Sequence, residues 1–225
     1  MAKIKFGAMM VDASGKLGGQ VFAKNRGGAY IRTKTTPLNP QTSAQTAVRG
    51  VFASISSAWS GLTDDARNSF NNLVSNYART DVFGDLRNPS GKQLYQRLNN
   101  NLAISGQPLL AVCGLPSEVP FADVSAVDID VTAETAIATQ NGDTTGSKVV
   151  VWATPSLSSG TNFVKNRLRQ LVVVDGSNAG DIDFWDAYTA KYGTPQVGAN
   201  IFVGIRVINA NGQASPLEVI KATIV

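Results

Sequence analysis

The sequence predicts a mixed α+β fold: an N-terminal basic β-ribbon arm and a small helical module, followed by an all-β immunoglobulin/fibronectin-like sandwich. Three successive residue patterns along the chain support this prediction. Glycine-rich basic chain runs to about Thr36, apolar residues then recur every three to four positions, and β-branched runs of period two follow from about Gln107. The predicted domains are the arm at 1–36, a three-helix module at 37–106, a proline-marked linker at 107–122 and the sandwich at 123–225.

The arm is centred on the stretch SGKLGGQVFAKNRGGAYIRT at residues 14–33, which holds five glycines, several basic side chains and no acid. Residues 20–24 and 29–34 have the composition of short strands, and the glycines and asparagine between them favour a hairpin turn. An isolated hairpin buries little apolar surface and is only marginally stable in water. We therefore expect the ribbon to pack on something else.

Three helices are predicted in the middle of the chain. The first begins at Asn39-Pro40, with asparagine as the N-cap and proline at the first helical position. Thr63 caps the second, with acids in its first turn, and the third runs from about Ser90 to Gly106. Their predicted buried faces are Val48, Val51, Phe52, Ile55, Trp59 and Leu62, then Ala66, Phe70, Leu73, Val74 and Tyr77, then Leu94, Tyr95, Leu98 and Leu102.

Seven short strands separated by turn signals favour a β-sandwich in the C-terminal half. Trp152, in a central strand, has the residue type that often fills the core of such a domain. The predicted strands are 124–131, 136–139, 148–153, 167–174, 185–192, 200–208 and 217–225.

The composition argues against an enzyme and against a cofactor. The chain has no histidine, which removes the usual general base near neutral pH and imidazole metal ligands. The single cysteine, Cys113, lies among apolar residues and is predicted to be buried and to have no catalytic or metal-binding role. Gly15-Lys16 lacks the hydroxyl residue and the first glycine of a phosphate-binding P-loop. The tripeptide Gly18-Gly19-Gln20, used by peptide-chain release factors, opens directly into a predicted strand and is read as a flexible lead.

Paired carboxylates occur three times, at Asp64/Asp65, Asp128/Asp130 and Asp181/Asp183. The first pair suits helix capping, and the other two alternate as solvent-facing strand or turn residues do. The longer acidic series of a calcium loop is absent. No metal site is predicted, and adventitious cation binding at the third pair is the most these residues suggest.

The positive charge is concentrated at the N-terminus. The net charge is +4, yet residues 1–49 carry eight basic residues against Asp12 alone. This distribution invites an anionic partner there, either nucleic acid or an acidic protein surface. The residues expected to contact a subunit or a nucleic acid are Lys16, Phe22, Lys24, Arg26, Tyr30, Arg32, Lys34 and Arg49.

No membrane partner is expected. The apolar runs are far shorter than a bilayer span, and the first six residues lack the apolar stretch of a signal peptide. The sequence is read as that of a protein made in the cytoplasm.

Several spaced motifs resemble the N-terminal half of small virion structural proteins of tailed bacteriophages, including uncharacterised ones from phages and prophages of Bacteroidetes and of environmental samples. Weaker similarity continues at 152–155, 191–193 and 212–216. The motifs are Ser14-Gly15-Lys16-x-Gly18-Gly19, Arg26-Gly27-Gly28-x-Tyr30-x-Arg32, Pro37-x-Asn39-Pro40-x-Thr42-x-x-Gln45-x-x-x-Arg49 and Trp59-x-x-Leu62-Thr63.

The resemblance implies a structural role in a virion, after synthesis in the host cytoplasm, as a tail, connector or capsid-associated component. Its partners would be further copies of the chain and other virion proteins, which the arm would bind. Gln45 and Arg49, one helical turn apart, would help to fix the root of the arm. Two alternatives stay open: a nucleic-acid-binding protein that uses the basic ribbon, and, more distantly, a hydrolase.

Overall fold

The computed structural model describes residues 2–8, 10–26, 28–36, 38–80, 84–158 and 160–225. Helices and antiparallel sheets both occur, so the predicted α+β class is confirmed. The chain divides into two compact units, Met1–Thr46 and Ala47–Val225. The predicted domain boundaries at residues 36, 106 and 122 stay predictions.

The first unit holds a four-stranded antiparallel sheet, where the sequence predicted two strands. The predicted hairpin forms its centre, and a very short strand is added on each side. These outer strands span two and three residues, which is too short for an alternation of apolar and polar residues to be recognised in the sequence. The strands are β1 (Ala2–Lys3), β2 (Gly15–Leu17), β3 (Gln20–Asn25) and β4 (Gly28–Thr33), in the order β1-β4-β3-β2.

The first helix, α1 (Ser43–Gly61), begins three residues later than predicted. Gln41 has a φ of 48°, outside the right-handed helical region, so a helix cannot run through it from Pro40. The Thr42 hydroxyl accepts a hydrogen bond from the Gln45 N–H at 3.3 Å and acts as the N-cap. The predicted N-cap at Asn39 is therefore wrong.

The next helical elements follow the prediction. They are α2 (Asp64–Asn72), a 3-10 turn (Val74–Tyr77) and α3 (Gly91–Ser105), with the two-residue strands β5 (Arg79–Thr80) and β6 (Leu86–Arg87) between them. The Thr63 hydroxyl accepts from the Ala66 N–H, and Ser90 and Gln93 form a complete capping box. Gly106 ends α3 in the left-handed conformation, as predicted.

The helices share a hydrophobic core in which aromatic rings meet edge to face. The Phe70 ring lies 5.9 Å from that of Trp59 and 5.2 Å from that of Tyr95, centroid to centroid. The predicted buried faces of α2 and α3 supply most of this core. The buried members of the core are Ile55, Phe70, Tyr77, Leu94, Tyr95, Leu98 and Cys113.

Only the C-terminal half of α1 reaches that core. Ile55 is buried and Trp59 and Leu62 pack against it, but the first half of the predicted face is exposed: Val48, Val51 and Phe52. The predicted buried face of α1 is therefore wrong over its first two turns. Their apolar spacing is helical, but nothing described in the second unit covers them.

The C-terminal half forms a four-stranded and a three-stranded antiparallel sheet. Their orders are β10-β9-β12-β13 and β11-β8-β7. The elements are β7 (Val124–Asp130), β8 (Thr135–Asp143), β9 (Lys148–Ala153), β10 (Arg169–Asp175), β11 (Asn178–Asp183), helix α4 (Trp185–Tyr192), β12 (Asn200–Ile208) and β13 (Glu218–Thr223).

The segment Trp185–Tyr192 is a helix, so the predicted strand there is wrong. Its apolar residues Trp185, Tyr188 and Tyr192 are spaced by three and four, which fits one helical face better than strand alternation. Asp186 and Lys191 also lie at the ends that the helix dipole favours. Among the described residues this half still has seven strands, because β11 is a strand that the sequence did not predict. Its small and acidic residues give no strand signal.

Side chains from both sheets enter one hydrophobic core. Val127, Ala138 and Ile182 come from the three-stranded sheet, and Val151 and Val203 from the four-stranded one. Trp152 is not in this core, contrary to expectation. It points to the other face of β9, where with Leu168 and Arg206 it lines a shallow surface cavity.

The helices of the second unit dock onto the turn between β12 and β13. The Asn101 side-chain amide donates to the Gly212 carbonyl at 2.8 Å, and the Gln107 amide donates to the Ile208 carbonyl at 3.4 Å. Gly212 lies so close to α3 that a Cβ added there would be 2.5 Å from the Leu98 carbonyl oxygen. These contacts make the helices and the two larger sheets one compact body.

Candidate interaction surface

The register of the first sheet assigns each side chain of the arm to a face. Directly opposed residues on antiparallel strands point to the same face of a sheet. Phe22 is opposite Ile31, whereas Tyr30 is opposite Ala23. The two aromatic residues predicted to act together therefore lie on opposite faces.

One face is apolar at its centre. Phe22 and Ile31 are flanked by Ala2 on β1 and by Gly15 on β2, and Leu17 lies in the next row. Phe22 and Ile31 are half-buried, while Leu17 is 71% exposed. We call this the apolar face of the first sheet.

The opposite face is basic. Lys16, Val21 and Arg32 form one row across β2, β3 and β4, and Lys3 lies opposite Tyr30 in the adjacent row. Lys3, Lys16 and Arg32 are exposed, whereas Tyr30 is half-buried. Three cations thus share one face of the sheet with an aromatic ring, and we call this the basic face.

The first sheet has no core of its own. Among the described residues from 2 to 46 none is buried, and the best-covered side chains of β3 and β4 are only half-buried. A sheet gains its stability by burying at least one face, so this sheet is open to a partner.

The remaining predicted contact residues are scattered. Lys24 lies on the apolar face and pairs with Asp12 at 3.2 Å, both side chains being exposed. The hydrogen bond and the positive charge of Lys24 lower the pKa of Asp12. Arg26 follows β3 in the turn, and Lys34 follows β4, where its N–H donates to the Gly19 carbonyl at 2.8 Å.

Arg49 is not part of the sheet. It lies on α1 and belongs to the second unit, whereas the other predicted contact residues belong to the first. The expectation that Arg49 and Gln45 help to fix the root of the arm stays a prediction.

A second apolar surface lies on the second unit, where the sequence predicted core. The exposed residues Val48, Val51 and Phe52 of α1 and Ile104 of α3 line an open groove of about 400 Å³. Apolar spacing alone could not reveal it, because an exposed and a buried helical face have the same period. An unusual feature was nevertheless visible in the sequence, since residues 43–61 carry a single charge, Arg49.

The described residues offer little for metal or thiol chemistry. Among them no group of three or more carboxylate or thiol side chains could hold a metal ion. Asp181 instead accepts a hydrogen bond from the Thr139 hydroxyl at 2.9 Å. Cys113 is buried, as predicted, and burial raises the pKa of its thiol, which keeps it protonated and weakly nucleophilic.

Within the part of the chain that the structure describes, no helix is long and apolar enough to span a bilayer. Comparison with known proteins adds no relative: no protein-family model matches the sequence, and neither a curated protein nor a solved structure is significantly similar to it.

Proposed function

We propose that the protein is a non-enzymatic structural component of a tailed-phage virion, which assembles with further copies of itself through its N-terminal sheet. The observation that carries the proposal is the absence of any buried residue among those described between 2 and 46. Ordering such a segment costs about 1–2 kcal/mol per residue in backbone entropy, which only burial against a neighbour would offset.

The geometry of the sheet supports a protein neighbour. Its apolar face presents the exposed Leu17 and the half-buried Phe22 and Ile31, and its edge strands β1 and β2 are two and three residues long. The flanking strands pair with residues 20–22 of β3 and 30–31 of β4, which is only part of each outer edge. A neighbouring chain that covers the face or extends the edge would supply the missing contacts.

The apolar groove on α1 and α3 supports assembly independently. Monomeric proteins seldom expose contiguous apolar surface without a use for it. Phe52 is 50% exposed and Val48 is 70% exposed on one helical face. A chain with a partly exposed apolar surface on each of its two units is well suited to a multi-copy assembly.

We also propose that the two larger sheets form a fibronectin-like sandwich. The first, second and fifth strands of the C-terminal half form one sheet and the third, fourth, sixth and seventh form the other. Constant-type immunoglobulin domains divide their strands four and three. Here the fourth strand, β10, pairs with β9 and so makes the division three and four. Such domains serve widely as spacers and outward-facing modules in extracellular assemblies.

The alternative is a nucleic-acid-binding protein, and the basic face favours it. Lys16 and Arg32 lie in one row, with the half-buried Tyr30 in the adjacent row, and a basic strand surface that carries an aromatic ring suits phosphate contacts with base stacking. The two functions use opposite faces of the same sheet, which makes them separable by mutation.

The test compares two double variants of the full chain. Phe22→Ser/Ile31→Ser alters the apolar face, and Lys16→Gln/Arg32→Gln alters the basic face. Light scattering coupled to size-exclusion chromatography measures assembly, and a DNA-binding titration at several salt concentrations measures nucleic-acid affinity. Assembly by the apolar face predicts that the first variant is monomeric and that the second still assembles.

The opposite pattern supports the alternative. A monomeric wild type that binds DNA with a steep salt dependence, lost in the basic-face variant, would overturn the structural proposal. Deleting residues 1–36 serves as the control for folding, because every buried residue of the described chain lies in the second unit. The shortened chain should keep cooperative unfolding but not assemble.

A further inference from the structure

We propose that a cavity between α3, the segment 76–79 and the β12–β13 turn binds a phosphate group through Arg79 and Arg97. The cavity has a volume of about 220 Å³ and lies wholly within the second unit. This site is independent of the N-terminal sheet and of its proposed role in assembly.

Arg97 is the central residue of the site. It lies on α3 and is half-buried, with its guanidinium carbon 5.6 Å from the centre of the Tyr77 ring. The pKa of Arg97 is lowered, first because burial strips water from the cation and then because Arg79 adds a second positive charge nearby. The structure thus places the half-buried cation of Arg97 near the exposed cation of Arg79.

No carboxylate compensates these charges within the described residues. Neither Arg79 nor Arg97 joins an ion pair with another residue of the described ranges. Desolvating a cation without a counter-charge is costly, and proteins normally avoid it by pairing the charge. A bound anion would remove this cost.

The walls of the cavity suit a small polar group. Asn76, Asn101 and Gln213 contribute amides, while Pro116 and Val119 close the apolar side. The Asn101 amide is already used on the Gly212 carbonyl, and the Tyr77 hydroxyl on the Gly114 carbonyl at 2.8 Å. The arginines are therefore the charged donors that are left for a ligand, beside the side-chain NH2 groups of Asn76 and Gln213. A drug-sized molecule would need a larger cavity than this one.

The charge favours phosphate over a carboxylate. Two guanidinium groups match a dianion, and the planar fork of arginine donates two parallel hydrogen bonds to adjacent phosphate oxygens. A carboxylate would neutralise only one of the two charges. The ligand class is thus a phosphomonoester or free phosphate, with space for only a few atoms beyond the phosphate.

The test titrates inorganic phosphate and methyl phosphate into the full chain, with chloride and acetate as matched salts at constant ionic strength. Nitrogen-15 NMR of the arginine Nε–H groups reports on Arg97 directly. We expect a saturable shift with phosphate and methyl phosphate and a much weaker one with acetate. Arg97→Gln should weaken phosphate binding about tenfold or more, and Arg79→Gln by several-fold, followed through the remaining arginine.

The controls separate a site from general screening. Arg167→Gln removes one exposed charge from the same unit and should leave phosphate binding within about twofold of wild type. Arg97→Lys keeps the charge but loses the fork, so weakened binding by this folded variant supports the bidentate geometry. Equal shifts with chloride and phosphate, or undiminished binding by Arg97→Lys and Arg79→Gln, would overturn the proposal.

Discussion

The two units of the chain use their apolar residues in opposite ways. The second unit buries valine, isoleucine and aromatic side chains in a core between its helices and another between its sheets. The first unit forms four hydrogen-bonded strands, yet none of its described residues is buried. Backbone pairing alone therefore does not make a self-sufficient domain, and the intrinsic stability of the chain is expected to reside in the second unit.

The charge follows the same division. The first unit carries seven basic residues and one acid, whereas the second carries slightly more acids than bases. The unit without a core is thus the unit with the larger net charge. An open sheet that combines net positive charge with an uncovered apolar face is equipped for association at both long and short range.

The largest expected effect tests where stability resides. Phe70 is fully buried against Trp59 and Tyr95, so Phe70→Ala should lower the free energy of unfolding by roughly 3–5 kcal/mol. Phe22→Ala, the matched change in the first unit, should lower it by less than about 1 kcal/mol. Urea denaturation followed by tryptophan fluorescence measures the unfolding of the second unit in both variants, since all three tryptophans lie in that unit. Equal losses from the two variants would break the comparison.

An intermediate effect is expected at the junction within the second unit. Gly212 has a φ of 72° and leaves no space for a Cβ against the Leu98 carbonyl, so Gly212→Ala should cost roughly 2–4 kcal/mol. Gly146 has a similar φ of 77° with nothing within 4 Å of its Cβ position. Gly146→Ala should therefore cost only about 1 kcal/mol.

Thermal unfolding of the two glycine variants isolates the contribution of close packing, because the backbone strain is similar in both. A large difference confirms that the helices and the β12–β13 turn unfold together. Two equal and small losses would mean that the helices detach from the sheets without a cost, and that the second unit is not one cooperative body.

The sequence predicts local signals well and partners poorly. Thr63, Ser90 and Gly106 act as predicted because a cap depends on residues within one turn of the chain. The segment 185–192 was misread because its apolar spacing satisfies a strand and a helix in part, and only packing on the sheets selects the helix. Local chemistry fixes where elements end, whereas tertiary contacts choose between similar patterns.

The same distinction explains the candidate surface. The sequence placed basic and aromatic residues on a ribbon, but Phe22 and Tyr30 fall on opposite faces because the turn sets a register that composition does not encode. On α1, Val48, Val51 and Phe52 have core-like spacing without a core. The cavity at Arg79 and Arg97 also includes the turn at Gly212, which is more than 100 residues away in the sequence. No pattern along the chain predicts that these residues lie close together.

The smallest expected effect is a pH dependence specific to the second unit. Burial, and then the neighbouring Cys113, raise the pKa of Tyr77 to about 12, compared with about 10 in an unfolded chain. Between these values the unfolded chain has lost a proton that the folded protein keeps, so the free energy of unfolding falls as the pH rises from about 10 to 12. The stabilisation is complete below pH 10 and amounts to roughly 2 kcal/mol.

Because other groups titrate in the same range, the measurement is the difference between urea midpoints of wild type and Tyr77→Phe at each pH. Multiplied by the urea m-value, that difference is a free energy, which should shrink by roughly 2 kcal/mol between pH 10 and 12 because phenylalanine has no proton to lose. Tyr30→Phe is the matched control, because it removes a tyrosine hydroxyl from the first unit, in which no described residue is buried. If Tyr30→Phe flattened the profile as much as Tyr77→Phe, alkaline unfolding would depend on the first unit as strongly as on the second, and the division of stability between the two would not hold.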